Sequence, residues 1–288
     1  MADRLLCEVF RLIGCGKDID AAALLGSNSR SEPTSQLAKY LLRYFEMQEQ
    51  VDVYDQPRAF RAFIDGGGNV HLYSSVVSCL RRLVCSGTKS LIDIGCGDGR
   101  VTSQICDGLQ LVEFVEPSHE LFQAATRALA AKAMPSRGYQ LYAQNFLQNL
   151  QVDRRWDVAT MTFSLQCVSP AERLEMLTTL RGHVGKVGVV EFDVHAFPTE
   201  EQRYLHLIER YEIGINEYSS DRDLVALGFL IPMLLSQLRS TNDHQLNWEQ
   251  SKESWLAEFQ RANYSDVTVE KVADYWWADC FMVVANGA

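Results

Sequence analysis

Residues 91–100 read LIDIGCGDGR, an apolar run ending in three alternating glycines, Gly95, Gly97 and Gly99. A short apolar run bounded by glycines reads as a buried strand. Glycine at alternate positions lets the chain turn sharply and lets a ligand approach the main chain with no Cβ in the way. The next apolar residues, Val101, Ile105 and Leu109, recur at helical spacing. Strand, glycine turn and helix start thus follow one another. Free N–H groups at a helix start, beyond the carboxyl end of a strand, make a binding place for a polar ligand.

The same alternation continues downstream. LVEFVEP (111–117), YQLYAQNF (139–146), WDVATMTFS (156–164) and KVGVVEFDV (186–194) read as strands, with helical patterns at 119–133 and 171–184 between them. VTVEKV (267–272) and CFMVVANG (280–287) add two late strands whose short connection predicts an antiparallel edge. The expected fold is α/β: a Rossmann-like, mostly parallel sheet with an antiparallel C-terminal edge. Residues 1–86 read as a helical N-terminal segment, a lid or dimerisation element. Residues 87–288 read as the α/β domain, carrying a helical insertion at about 198–261 that Pro232 interrupts. Gly66, Gly67 and Gly68 form a turn or a hinge within the front segment.

Composition narrows the function. The chain has 288 residues, 47% apolar and 22% charged, which is enough to bury a core. Its 27 Lys and Arg stand against 37 Asp and Glu, a net charge of −10, which counts against gripping a nucleic-acid backbone. The eight cysteines include no CxxC pair, and the first 20 residues carry no secretory apolar core. No stretch of about 18 uncharged apolar residues occurs. The expectation is a cytoplasmic protein with free thiols and no membrane partner.

The glycine turn departs from the dinucleotide fingerprint, whose third glycine falls here at Arg100, and it lacks the Lys-Ser/Thr of a phosphate-binding loop. Glu116 ends the second strand. A carboxylate there offers two acceptor oxygens for the two hydroxyls of a ribose. DIGCGDGR followed by VEPS resembles the class I S-adenosylmethionine-dependent methyltransferases over roughly residues 89–288. That resemblance implies S-adenosylmethionine as cofactor, with Asp93, Gly95 and Gly97 around its methionine part and Glu116 on its ribose. It further implies Asn145 and Phe146 near the adenine, in place of the acid often found there. The tip of the fourth strand, from Thr162 to Gln166, would face the substrate.

Methyl transfer needs donor and acceptor aligned, and sometimes a base. Candidate groups are His195, just past the fifth strand and its acids Glu191 and Asp193, and Tyr73, after the triple glycine Gly66 to Gly68. YDQPRAFRAFIDGGGNVHLY, NWEQ and DYWWAD resemble segments of bacterial C-methyltransferases of α-keto acids, which implies a divalent metal held by His195, Glu217 and His244. The aromatics Tyr54, Phe60, Phe63, Trp276 and Trp277 would pack a core or wall an apolar pocket. The function expected is methylation of a small molecule by a homodimer-capable enzyme that has no nucleic-acid partner. The alternatives are a methyltransferase of protein or another macromolecule, and a non-catalytic cofactor-binding module.

Overall fold

A computed structural model of the protein describes residues 2–28, 35–47, 56–85, 87–239 and 247–288. In chain order come α1 (Ala2–Gly14), α2 (Asp18–Asn28), α3 (Gln36–Glu46), α4 (Pro57–Ile64) and α5 (Asn69–Leu83). Strand and helix then alternate through β1 (Ser90–Ile94), α6 (Thr102–Ile105), β2 (Leu111–Val115), α7 (His119–Ala131) and β3 (Ser136–Tyr139). They continue through α8 (Ala143–Gln148), β4 (Trp156–Thr162), α9 (Pro170–Arg181) and β5 (Val184–Phe192). Helices α10 (Glu200–Asn216), α11 (Arg222–Val225), α12 (Ile231–Arg239) and α13 (Lys252–Arg261) precede the last strands, β6 (Ser265–Ala273) and β7 (Cys280–Asn286). Among the described residues, no helix is long and apolar enough to cross a membrane.

The chain divides into two compact units: Met1–Val70 with Ala196–Gln245 and Tyr275–Trp277, and His71–His195 with Leu246–Asp274 and Ala278–Ala288. Sequence reading put the first boundary at 86. From His71 onward, α5 falls in the unit that holds the sheet, and Gly188 of β5 leaves room for its leucines. A Cβ on Gly188 would stand 2.4 Å from Leu83 Cδ2 and 3.5 Å from Leu80 Cδ2.

The sheet has the order β3-β2-β1-β4-β5-β7-β6. Strands β1 to β5 run parallel, and β7 pairs antiparallel with both β5 and β6. Order reverses between β2-β1 and β4, so the carboxyl ends of these strands form the switch point where an open α/β sheet takes its ligand. One face buries Ile92, Met161, Val187 and Val189 against Leu177, Trp255 and Phe259.

Glu113 of β2 is fully buried. It accepts from Tyr139 Oη–H at 2.7 Å, from Trp156 Nε1–H at 2.6 Å and from the Arg154 guanidinium. Burial alone pushes its carboxyl up, but Arg154, Tyr139 and Trp156 outweigh that and hold it below the usual range.

The helical unit packs Phe10 edge-on to Tyr204 at 5.8 Å and stacks Phe63 on Phe229 at 4.2 Å. Trp276 and Trp277 lie 5.7 and 6.0 Å from Tyr211, so these aromatics are core. Tyr54 lies outside the described residues. Pro232 does not break the helix there. A π-helical turn, Ala226–Leu230, precedes it, and α12 runs through it. The extra residue of a π-turn relieves the clash that a proline ring makes with the preceding turn.

The third strand lies upstream of the expected 139–146, at Ser136–Tyr139, and shares only Tyr139 with it. It stops at Tyr139, and AQNF lies on α8, where Phe146 and Leu147 are buried beside exposed Asn145. Removing the acceptor of three donors is costly in such a core. Glu113→Ala is expected to lower unfolding free energy by about 3 kcal/mol in urea titrations. Glu113→Gln, which keeps an acceptor, should cost less.

Candidate active site

The glycine turn leaves β1 at Ile94 with Gly95, Gly97 and Gly99 at φ of +72°, +59° and +76°. The N–H groups of Gly95 and Cys96 both donate to the Val115 carbonyl, at 2.8 and 3.2 Å, which ties the turn to the end of β2. A Cβ on Gly95 would stand 2.5 Å from Ser164 Cβ, and one on Gly99 would stand 2.8 Å from Ala125 Cα. A Cβ on Gly97 would meet nothing within 4 Å. Packing therefore demands two of these glycines, while the third borders open space.

Glu116 follows β2 directly and is 6% exposed. Its Oε2 accepts the Gly97 N–H at 3.0 Å and its Oε1 the Ser118 N–H at 2.9 Å. Burial pushes this carboxyl up, and the two N–H groups pull it back. Asp93 is buried inside β1. Thr160 Oγ1–H donates to its Oδ1 at 2.9 Å, and Thr102 Oγ1–H donates to its Oδ2. Burial raises it to about 6, against the two hydroxyl bonds and with help from the Glu116 charge. Arg100 pairs with Asp98 at 2.8 Å and lies 5.6 Å over the ring of Tyr73. Burial pushes the Tyr73 phenol up to about 12, so near neutral pH it is a phenol and not a base.

The turn after β4 is held from several sides. Thr162 Oγ1 is buried without a partner. Phe163 has a left-handed φ of +52° and stacks on Phe192 at 4.6 Å. Ser164 Oγ–H donates to the Ile94 carbonyl at 2.9 Å. The N–H groups of Leu165 and Gln166 donate to Glu191 Oε1 at 3.0 and 3.2 Å. Glu191 is 1% exposed, and burial raises its carboxyl to about 8. Arg173 is fully buried. It grips Glu258 with two bonds of 2.7 Å and donates to the carbonyls of Leu165 and Trp248 at 3.3 and 3.2 Å.

Of the residues expected from sequence, Asp93, Gly95, Gly97, Glu116 and Thr162 gather at the carboxyl ends of β1, β2 and β4. Phe146 does not join them. It is core, 4.7 Å from Tyr139 and 6.2 Å from Trp156. Asn145 is exposed on α8, and its carbonyl accepts from Asn149. His195 lies just past β5 with its side chain 68% exposed. Glu217 is in the helical unit, where its Oε2 accepts the Gly68 N–H at 2.8 Å and so pins the triple-glycine turn. His244 lies outside the described residues.

Asp193, His195 and Glu253 come within metal-binding reach of one another, yet Asp193 already accepts the Lys252 N–H at 2.8 Å and faces its ammonium at 3.8 Å. A cation is thus already in place, and this trio carries no metal assignment. Sequence reasoning did not find Arg173, whereas Ser164 lies within the Thr162–Gln166 tip that it singled out. Glu191 was visible as an acid on an otherwise apolar strand, a pattern that calls for a buried partner or a shifted carboxyl.

The fold is that of the class I S-adenosylmethionine-dependent methyltransferases. The mitomycin 7-O-methyltransferase MmcR matches at 14% identity and a TM-score of 0.50, over 93% of this chain and 72% of that one. A Leishmania major S-adenosylmethionine-dependent methyltransferase matches at 13% and 0.50, over 82% and 86%. The small RNA methyltransferase HEN1 matches at 18% and 0.50, over 75% of this chain but 26% of that one. The chain likewise spans 55% of the length of a candidate O-methyltransferase from Nostoc punctiforme. No family model and no curated protein matches the chain.

Asp93 and Glu191 both titrate above their ordinary values of 3.8 and 4.5. The folded state therefore holds protons that the unfolded chain has released. Their stabilisation is complete below those ordinary values and is lost as pH rises through about 6 and about 8. Urea midpoints are expected to be higher at about pH 5 than at about pH 8.5, and Glu191→Gln should flatten the difference.

Proposed function

We propose that the chain is an S-adenosylmethionine-dependent methyltransferase acting on a small molecule. The observation that carries this reading is the pairing of Glu116 with the open glycine turn. A buried carboxylate bridges the Gly97 and Ser118 N–H groups beside a glycine whose Cβ position is empty space. This fits the cofactor. A nucleoside lying there would meet no side chain at Gly97, and each Glu116 oxygen keeps a lone pair for a ribose hydroxyl. Asp93, through Thr102 and Thr160, would hold the turn in place, and Gly95 would keep it close against Ser164.

When bound, the cofactor supplies a methyl group already activated by the sulfonium charge. The protein then has to bind, align and exclude water. Segment Thr162–Gln166, at the end of β4, would face the acceptor. Tyr73 would act as a neutral phenol donor there, since burial keeps its proton on. His195, exposed beside Asp193, would be the base where the acceptor needs one. The net charge of −10 favours a small molecule over a nucleic acid. The finest form of the proposal is carbon methylation of an α-keto acid, which rests on the segment resemblance alone and does not bring a metal with it.

Calorimetric titration with S-adenosylhomocysteine tests the cofactor assignment. Gly97→Arg should abolish binding by filling the open space. Glu116→Ala should weaken it about 10- to 100-fold, the loss of one or two hydrogen bonds to a charged acceptor. Unchanged affinity in both variants contradicts the reading. Labelled methyl transfer to a panel of α-keto acids, set against RNA and peptide, tests the substrate class.

A further inference from the structure

We propose that Glu191 is a positioning residue for the methyl-acceptor side of the site. A carboxyl proton on its Oε2, donated to Gln166 Oε1, latches the turn after β4 in its left-handed form. The functional meaning of this latch rests on the methyltransferase reading, because that turn is the segment proposed to face the acceptor.

Two unsatisfied atoms point to the proton. Glu191 Oε2 and Gln166 Oε1 are both buried without a hydrogen-bond partner. Both are acceptors, and the two residues are already joined through the Gln166 N–H on Glu191 Oε1 at 3.2 Å. Gln166 Nε2 is turned toward the Phe163 carbonyl at 3.5 Å, which leaves its oxygen as the free end. One added proton converts two orphaned acceptors into a donor and an acceptor. Buried polar atoms in native proteins are rarely left unpaired, and an unpaired pair on bonded neighbours is a specific defect that a proton repairs.

The surroundings favour the neutral form. The charged and titratable groups around Glu191 are Arg173 from α9, Glu249 from the segment before α13, Cys167 from the turn and Cys280 from β7. Arg173 attracts the anion, but its Nε and Nη2 are taken by Glu258 and its Nη1 by main-chain carbonyls. Glu249 repels it. Burial is the largest influence and pushes the carboxyl up to about 8.

The turn needs a latch because it is strained. Phe163 holds a φ of +52°, a conformation a bulky residue adopts only when its surroundings impose it. Loss of the proton would leave an anionic Glu191 oxygen without a partner in a dry site. Opening the turn to water is the way to solvate it.

The test uses the intact chain as wild type, Glu191→Gln and Glu191→Ala. Hydrogen exchange by mass spectrometry follows residues 162–168, corrected for intrinsic rates. In the wild type, protection should fall at least about 10-fold between about pH 6.5 and about pH 9.5. Glu191→Gln, which supplies a permanent N–H donor, should hold wild-type protection within about 3-fold and show no pH dependence. Glu191→Ala should be unprotected throughout. The protonated-carboxyl infrared band should be present in the wild type at the lower pH and missing in Glu191→Gln.

A Gln variant as unprotected as Ala, or a wild type without that band or without the pH-dependent loss, overturns the latch. Should the Ala variant not fold, the wild-type pH profile and the Gln rescue still decide. A parallel titration with S-adenosylhomocysteine separates the two ideas. No binding by the wild type sinks the methyltransferase reading, while exchange alone judges the latch.

Discussion

Asp93 sits inside the central strand β1, 2% exposed, with one hydroxyl on each carboxylate oxygen. Thr160 comes from β4 and Thr102 from the start of α6. The pair therefore clamps the strand on one side and the helix on the other, and the glycine turn must span the gap between them. A buried carboxylate is costly unless it is fully bonded or neutralised, so its position is tightly specified. Everything proposed about the site depends on where this clamp releases the chain.

Three acids at the strand ends divide the work by their partners. Asp93 takes hydroxyls and fixes the turn's origin. Glu116 takes main-chain N–H groups from Gly97 and Ser118 and borders open space. Glu191 takes main-chain N–H groups from Leu165 and Gln166 and shapes the opposite rim, after β4. Burial pushes all three carboxyls up. Shifted groups clustered at a switch point mark a candidate functional site. Glu113 is the contrast: equally buried, it is held low by Arg154 and serves the core.

The fold was largely legible because its signals are local. An apolar run closed by glycines, as in LIDIGCG, has few readings, and alternating strand and helix patterns force parallel pairing. Glu116 was legible for the same reason, since its distance from the glycines is set by one helix and one strand. AQNF was not. Its aromatic and amide suit a strand end or a helix equally, and the burial of Phe146 and Leu147 on adjacent positions decided for a helix. Arg173 was hidden because its meaning lies 85 residues away, in Glu258. Pro232 misled because a π-turn, invisible to periodicity, absorbs its ring. His195 was read from its place after β5, where its side chain is 68% exposed beside Asp193.

The likeness to solved methyltransferases reaches a mitomycin 7-O-methyltransferase and a small RNA methyltransferase at the same TM-score of 0.50, so the sheet does not choose the substrate. The central claim is nonetheless about the cofactor, and a crystal structure grown with S-adenosylhomocysteine tests it most directly. The account predicts the ribose hydroxyls on the two oxygens of Glu116, with the nucleoside passing over Gly97. A crevice left empty at saturating ligand, or a ribose bound away from Glu116, would contradict it.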